Sequence, residues 1–442
     1  MKLLIVYETV YPDFIGGVEH RNYELAAALC RRGHQVTLAG FCGSLASTIE
    51  NLHILSLGEL GQIYNRAGKR STRQALRFAA ALRRLDVTPY DAVETPNMPY
   101  VHLLPLAWKC AAARKPLLVT WYEHWGGYWR GYVGRWRAPA YRFVEWLTSQ
   151  LGTAVTATSE LTRGRLAAAR WGSGPRGRRG GQAGLVDVVP CGIAVERVRA
   201  AAGAAVGTAA GAAAGAAAGT TAEVRATGAH AAAARAADGP PLIYAGRLLE
   251  HKRLDLLLRA VQILAHDTAL PARNARDESG QEPLLTVFGE GPDRPRLESL
   301  AAELGIAGRV VFRGHVKSSE EVWRELGRAR LAVQPSAREG FGLFPLEAMA
   351  AGLPVVFCGS PESAVGELVR DGVEGVAAAP DAGALAAALA ALLAPAGEAE
   401  RRRLGANAEA RAAEYDWEAI AARIETICGD LASRLSLADS GR

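Results

Sequence analysis

Glu339 and Glu347 stand eight positions apart, with Gly340, Phe341, Gly342 and Leu343 opening the stretch between them. Two carboxylates at that spacing, one from a loop and one from an early helical turn, can bracket a polyhydroxylated ligand. The surrounding residues predict that geometry. An apolar strand, Leu331 to Gln334, enters a glycine-bearing loop. A helix follows, with Pro345 suited to its first turn, where a missing N–H costs nothing. Gly352 fits the C-terminal cap, and Leu353-Pro354 launches the next strand. Such a turn aims free backbone N–H groups at one point and so favours an anion. One glutamate near a helix start is favoured by the helix dipole alone. Two, with Gly-Phe-Gly between them, point to a ligand.

Other residues could serve the same ligand. Pro241 to Gly246 reads as a strand, and Arg247 and Lys252 flank the loop before a helix at 254–266. Cations near a helix start oppose its dipole unless an anion sits with them. Leu284 to Pro292 gives a strand and turn containing Gly289, and Val310 to Gly314 a strand followed by His315 and Val316. Near the N-terminus, residues 2–7 form an apolar strand, and Gly16-Gly17 precedes a helix at 18–32. That pair suits a phosphate at a helix start or an ordinary tight turn. A strand at 117–120 ends in Trp121-Tyr122-Glu123-His124-Trp125, where His124 either faces a cleft or packs among the tryptophans.

These stretches carry a resemblance. Glu339-Gly-Phe-Gly-Leu-Phe-Pro-Leu-Glu347 resembles the Glu-x7-Glu signature of retaining glycosyltransferases of the GT-B fold, family 4. Gly246-Arg247 through Lys252 resembles that family's Gly-Arg-x4-Lys-Gly motif, with Arg253 in place of the second glycine. Val188 to Ala194 resembles its Pro-x-Gly-(Ile/Val)-Asp turn, with Ala194 in place of the Asp. The resemblance implies two Rossmann-like doubly wound domains facing a central cleft. It implies transfer of a sugar from a UDP- or GDP-linked donor to a hydroxyl of a glycan, lipid-linked or small-molecule acceptor, with retention. Glu339 then lies by the donor sugar and Glu347 holds the ribose. Amides of Gly340, Phe341, Gly342 and Leu343 meet sugar and phosphate, and Arg247 and Lys252 hold the diphosphate as leaving group. Gly16 and Gly17 face the donor, and Gly289, His315 and Val316 lie on its nucleotide side. Relatives carry a histidine where this chain has Tyr122, so His124 is the catalytic candidate, with Tyr122, Glu123 and Trp125 on the acceptor side. Retaining transfer in this family is described as front-face, the leaving phosphate helping to deprotonate the acceptor. The chain contains no Asp-x-Asp, so no metal is expected, and no cofactor beyond the donor. A nucleotide-sugar epimerase of the same build and an inactive nucleotide-sugar-binding subunit are the alternatives.

The elements that must position these residues divide the chain. At 442 residues, two domains are expected. Residues 1–194 read as the first, with a Gly/Arg-rich insert near 172–184. Residues 195–238, almost wholly Ala, Gly and Thr from Ala200 to Ala237, read as a flexible linker. Residues 239–412 read as the second domain, 413–432 as a helix crossing back to the first, and 433–442 as a frayed tail. A net charge of +6 favours anionic ligands or surfaces without arguing nucleic acid. The six scattered cysteines suggest reduced thiols and a cytoplasmic protein. The first apolar run is too short for a signal peptide, and no run is long enough to span a membrane.

Two basic stretches remain. Residues 64–84 carry Arg66, Lys69, Arg70, Arg73, Arg77, Arg83 and Arg84 and no acid. Residues 128–146 interleave Tyr128, Trp129, Tyr132, Trp136, Tyr141 and Trp146 with Arg130, Arg135, Arg137 and Arg142. They suit anionic lipid headgroups and peripheral membrane contact, or a solvated helix face over ordinary aromatic packing.

Overall fold

The computed structural model describes residues 1–14, 16–43, 47–63, 70–169, 186–214, 240–266, 283–316 and 318–440. Arg66, Lys69, the 172–184 insert and the 215–238 part of the expected linker lie outside them. The chain forms two units, Met1–Gly192 with Trp417–Arg442, and Ile193–Asp416.

The first unit alternates strands and helices: β1 (Lys2–Thr9), α1 (Gly17–Arg31), β2 (Gln35–Phe41), β3 (Leu52–Ser56), α2 (Thr72–Ala81), β4 (Ala92–Pro96), α3 (Leu103–Ala112), β5 (Leu117–Trp121), α4 (Trp129–Val133), α5 (Ala138–Ser149), β6 (Ala154–Ala157), α6 (Glu160–Ala169) and β7 (Val186–Val188). Its sheet is parallel, in the order β3-β2-β1-β4-β5-β6-β7. Leu3 to Tyr7 of β1 are all buried, as a strand covered on both faces requires. Leu4, Val6, Val93 and Val119 pack with Phe78, Leu82, Leu103 and Leu106 of the covering helices.

The second unit repeats the pattern: α7 (Val195–Ala214), β8 (Leu242–Ala245), α8 (Leu254–Ala265), β9 (Leu285–Phe288), α9 (Arg294–Glu303), β10 (Val310–Gly314), α10 (Ser319–Arg328), β11 (Leu331–Gln334), α11 (Leu343–Ala350), β12 (Val355–Cys358), α12 (Val365–Leu368), β13 (Gly375–Ala378), α13 (Ala382–Leu393) and α14 (Glu398–Ala412). Its strands lie parallel in the order β10-β9-β8-β11-β12-β13. Strand order reverses between β8 and β11. Such a switch point leaves a crevice outside the carboxyl ends of the strands, where α/β sheets bind ligands. A final helix, α15 (Trp417–Ser440), belongs to the first unit.

Two expectations are corrected. The linker expected from 195 opens as a 20-residue helix, α7. Val195, Val198 and Ala202 are buried, three to four residues apart, so this part of the tract has the packing stripe that its alanines hid. The tail expected to fray from 433 continues α15 to Ser440, since no glycine or proline interrupts it after Gly429. The six cysteines are buried free thiols.

Candidate functional site

The loops after β8 and β11 meet at the switch point. Lys252 Nζ donates to Glu339 Oε2 at 2.5 Å. Gln334, the last residue of β11, donates from Nε2 to the same oxygen at 2.9 Å and to Ser336 Oγ at 2.9 Å. The backbone joins the loops too, with Ala337 N–H donating to His251 C=O at 2.9 Å. Burial pushes the His251 imidazole down to about 4, with the Lys252 charge adding to it, so the ring is neutral near pH 7. The sequence therefore brings one cation, one carboxylate and one amide to a common point, and only the first two were legible as candidates.

Glu339 is held from behind. Its N–H donates to Glu362 C=O at 3.3 Å, and its C=O accepts from Ala364 N–H at 2.8 Å. Buried Arg338 donates to Glu362 at 2.8 Å. Gly342 caps α11 with a φ of 110°, a left-handed value that favours glycine. Gly352 follows the other end of this helix with a φ of 68°, as the capping pattern predicts. Phe341 is buried and faces Tyr415.

Glu347 lies on α11, partly buried. Its Oε1 accepts from Trp323 Nε1 of α10 at 3.1 Å. Burial pushes its carboxyl up to about 7, against the opposing hydrogen bond. Tyr244 of β8 is fully buried beside the same loops; burial, then the Glu339 charge, raises its phenol well above the ordinary value. Gln334, Trp323, Tyr244, Arg338 and His251 were not singled out from sequence. The one available signal was Gln334, a polar residue closing an apolar strand.

Arg247 is exposed at the start of the β8 loop. Gly289 has a φ of 119°, and a Cβ there would stand 2.0 Å from the Gly246 carbonyl oxygen, so the two loops touch backbone to backbone. Gly289 N–H in turn donates to Gly314 C=O at 2.7 Å. His315 is exposed and Val316 half-buried beyond β10, the edge strand. Arg253 sits in the left-handed region with a φ of 55°, the conformation for which glycine is the better residue.

The first unit holds the remaining candidates. Gly16 precedes α1 in extended conformation. The Glu19 carboxylate turns back over this end: a Cβ on Gly16 would stand 2.3 Å from its Oε2. Thr9 Oγ1 donates to Glu19 Oε1 at 2.5 Å. Burial raises the Glu19 carboxyl. The phosphate expected at Gly16-Gly17 would therefore meet the chain's own acid.

His124 and Tyr122, both candidates for the acceptor side, do not share surroundings. β5 ends at Trp121, so the period-two alternation lapses before either residue. The Tyr122 hydroxyl is buried near Arg21, Glu94 and Cys191, and burial raises it far above its ordinary value. Arg21 pairs with Glu94 at 2.7 Å, and Thr120 donates to Glu94 at 2.8 Å. His124 instead stacks against Trp121, ring centroids 6.0 Å apart, with Nε2 3.8 Å from Glu145 Oε2. Buried Glu145 fixes this loop. It accepts from Trp125 N–H at 2.7 Å, Gly126 N–H at 2.8 Å, Trp129 Nε1 at 3.0 Å and Tyr100 OH at 3.1 Å. Trp125 Nε1 donates to Glu123 at 2.9 Å. The structure thus brings His124, Glu123 and Trp125 together and directs Tyr122 elsewhere.

Residues 229–411 match the family model Glycosyl transferases group 1, and residues 15–197 match Glycosyltransferase Family 4. A D-inositol 3-phosphate glycosyltransferase of Geodermatophilus obscurus is 41% identical over 191 residues, 41% of this chain and 38% of the relative. A glycogen synthase of Mycobacterium tuberculosis is 37% identical over 194 residues, 43% of this chain and 42% of the relative. The chain thus spans about two fifths of the length of these relatives. Among solved structures, sucrose-phosphate synthase from Thermosynechococcus elongatus superposes with a TM-score of 0.69 at 21% identity, covering 98% of this chain and 99% of that one. Anabaena Alr3699/HepE in complex with UDP-glucose superposes with a TM-score of 0.64 at 16% identity, covering 97% and 100%. These likenesses show a GT-B fold of two Rossmann-like domains.

Proposed function

The chain belongs to the glycosyltransferases of group 1 and family 4, and on that premise we propose that it transfers a sugar, with retention, from a nucleotide diphosphate sugar to an acceptor hydroxyl. The observation that carries this reading is the Lys252–Glu339 pair at the β8/β11 switch point, flanked by the Gly340–Leu343 amides. A protein of the same fold binds UDP-glucose, which supports a uridine donor. In the reading proposed, the diphosphate takes Lys252 and Arg247 as counter-charges, and the loop amides meet its oxygens. Glu339, released from Lys252, accepts hydrogen bonds from donor-sugar hydroxyls, and Glu347 takes the ribose. The bond from the anomeric carbon to the diphosphate oxygen breaks as the acceptor oxygen bonds on the same face. The acceptor's proton passes to the leaving phosphate. No metal is needed where Lys252, Arg247 and the amides meet the developing charge.

The test is calorimetric titration with UDP and GDP. Lys252→Ala and Arg247→Ala should each lose on the order of 2 kcal/mol of affinity. Unchanged affinity in both would overturn the assignment. Glu339→Gln should bind the nucleoside diphosphate at least as tightly, because Lys252 loses its competing carboxylate, while turnover falls. Donor turnover separates the alternatives: a transferase releases nucleoside diphosphate faster with acceptor, an epimerase converts the sugar without one, and a binding subunit does neither.

A further inference from the structure

The two basic stretches take no part in this donor chemistry, and the structure joins them. Thr72 of α2 meets the Tyr141 hydroxyl of α5 at 3.0 Å, and Arg70 N–H donates to the Tyr132 hydroxyl at 3.2 Å. From His124 to Val144 there is no acidic residue, while Arg130, Arg135, Arg137 and Arg142 fall within that stretch. Among the described residues none of these four forms a salt bridge, whereas Arg21, Arg31, Arg32 and Arg70 each do. Arg130, Arg135 and Arg142 converge with Phe143 and Trp146 on a groove of about 430 Å³.

Beside these charges stand apolar side chains in water. Trp136 is 84% exposed and Phe143 59%, and the Arg135 guanidinium lies 4.8 Å from the Trp136 ring centroid. On α2, Leu76 is 55% exposed between the exposed Arg73 and Arg77. Single exposed apolar residues are ordinary, but a bulky indole and phenyl set among arginines that form no salt bridge among the described residues match an interface that is apolar and anionic together. Phosphodiester headgroups accept the planar guanidinium fork, and aromatic rings settle at headgroup depth. Among the described residues no single helix is long and apolar enough to cross a membrane.

We propose that α2, α4 and α5 dock the protein on an anionic lipid surface, with headgroup phosphates in the Arg130–Arg135–Arg142 groove and Trp136 and Phe143 in the interfacial layer. This surface is independent of the donor reading. The test sediments the full chain with vesicles of phosphatidylcholine, alone or mixed with phosphatidylglycerol. Binding is expected on the mixed vesicles only and should fall steeply with salt. The triple variant Arg130→Gln/Arg135→Gln/Arg142→Gln should partition at least about tenfold less. Trp136→Ser, at a position too exposed to endanger folding, should weaken binding and abolish part of the lipid-induced blue shift in tryptophan emission. Thermal unfolding of the Trp136→Ser variant and its affinity for nucleoside diphosphate should match the parent, which separates this proposal from the donor assignment. Equal binding to both vesicle types, no binding at low salt, or variants that bind like the parent would overturn the proposal. So would release from vesicles by inorganic phosphate at constant ionic strength, which would mark the groove as a site for a soluble anion.

Discussion

Glu347 is a candidate-site residue whose chemistry burial changes. Burial pushes its carboxyl to about 7, above its unfolded value of 4.5. The folded state therefore binds the proton more tightly, and this group's contribution to stability falls as pH rises from about 4.5 to 7. Glu347→Gln should then be near neutral at pH 5 and stabilising at pH 8, by up to about 3 kcal/mol. Urea denaturation of both proteins at the two pH values checks this; equal effects at both would show that Glu347 titrates normally. The same substitution should weaken nucleotide binding if the carboxylate holds the ribose. His124→Ala should lower turnover at least tenfold, about 1.4 kcal/mol of barrier, with nucleotide affinity little changed. Tyr122→Phe removes a buried hydroxyl with no hydrogen-bond partner among the described residues, so it should cost no stability and little turnover. Full activity in His124→Ala with loss in Tyr122→Phe would reverse those roles. The types and spacing of Glu339, Glu347, Lys252 and Arg247 were legible because charged residues in a glycine loop are unusual on physical grounds. Trp323 and Glu145 were not, because a buried tryptophan or glutamate declares its partner only after distant segments pack.

Among the elements, the alternating strands and helices were legible because apolar runs bounded by turns read directly as a parallel sheet. α7 was not. Its alanines and glycines show no strong period, and its burial depends on close backbone approach. A Cβ on Gly327 of α10 would stand 2.1 Å from the Ala202 carbonyl oxygen of α7. Farther along, the Arg197 guanidinium lies 5.5 Å from the Trp323 ring centroid, and Arg199 pairs with Glu409 at 2.9 Å. Trp323 in turn holds Glu347, so a helix composed like a linker braces the donor side. Gly327→Ala should therefore force α7 and α10 apart and cost about 1–3 kcal/mol. Its effect should extend to nucleotide affinity through Trp323. A thermal melt indistinguishable from the parent would mean that the helices yield freely at this contact.

For the molecule as a whole, the chain leaves its first unit after Gly192 and rejoins it at Trp417. Where it does so, Ile193 N–H donates to Tyr415 C=O at 2.8 Å. The division into two units and the returning helix were legible from chain length, motif order and the amphipathic run after Asp416. What was not legible is how the returning helix is seated. On its outer side Arg31 meets Glu418 at 2.7 Å and Arg32 meets Glu425 at 2.6 Å. Exposed pairs of this kind contribute about 0–1 kcal/mol each. The apolar side is the stronger term: Trp417, Ile420, Ala421, Ile424 and Cys428 are all buried. Gly192 makes that seat possible, since a Cβ there would stand 2.4 Å from the Trp417 ring. A rigid indole cannot swing away as a flexible side chain would. Gly192→Ala should therefore destabilise the first unit by about 1–3 kcal/mol, and Trp417→Ala by about 3–5 kcal/mol. Because both act through one contact, the two costs should not add. In the Trp417→Ala background the ring is gone, and Gly192→Ala should fall to within about 0.5 kcal/mol of neutral. Urea denaturation of the four proteins, followed by a probe in the first unit, measures the cycle. Additive losses would show that Gly192 is required by its own backbone and not by the tryptophan seated against it.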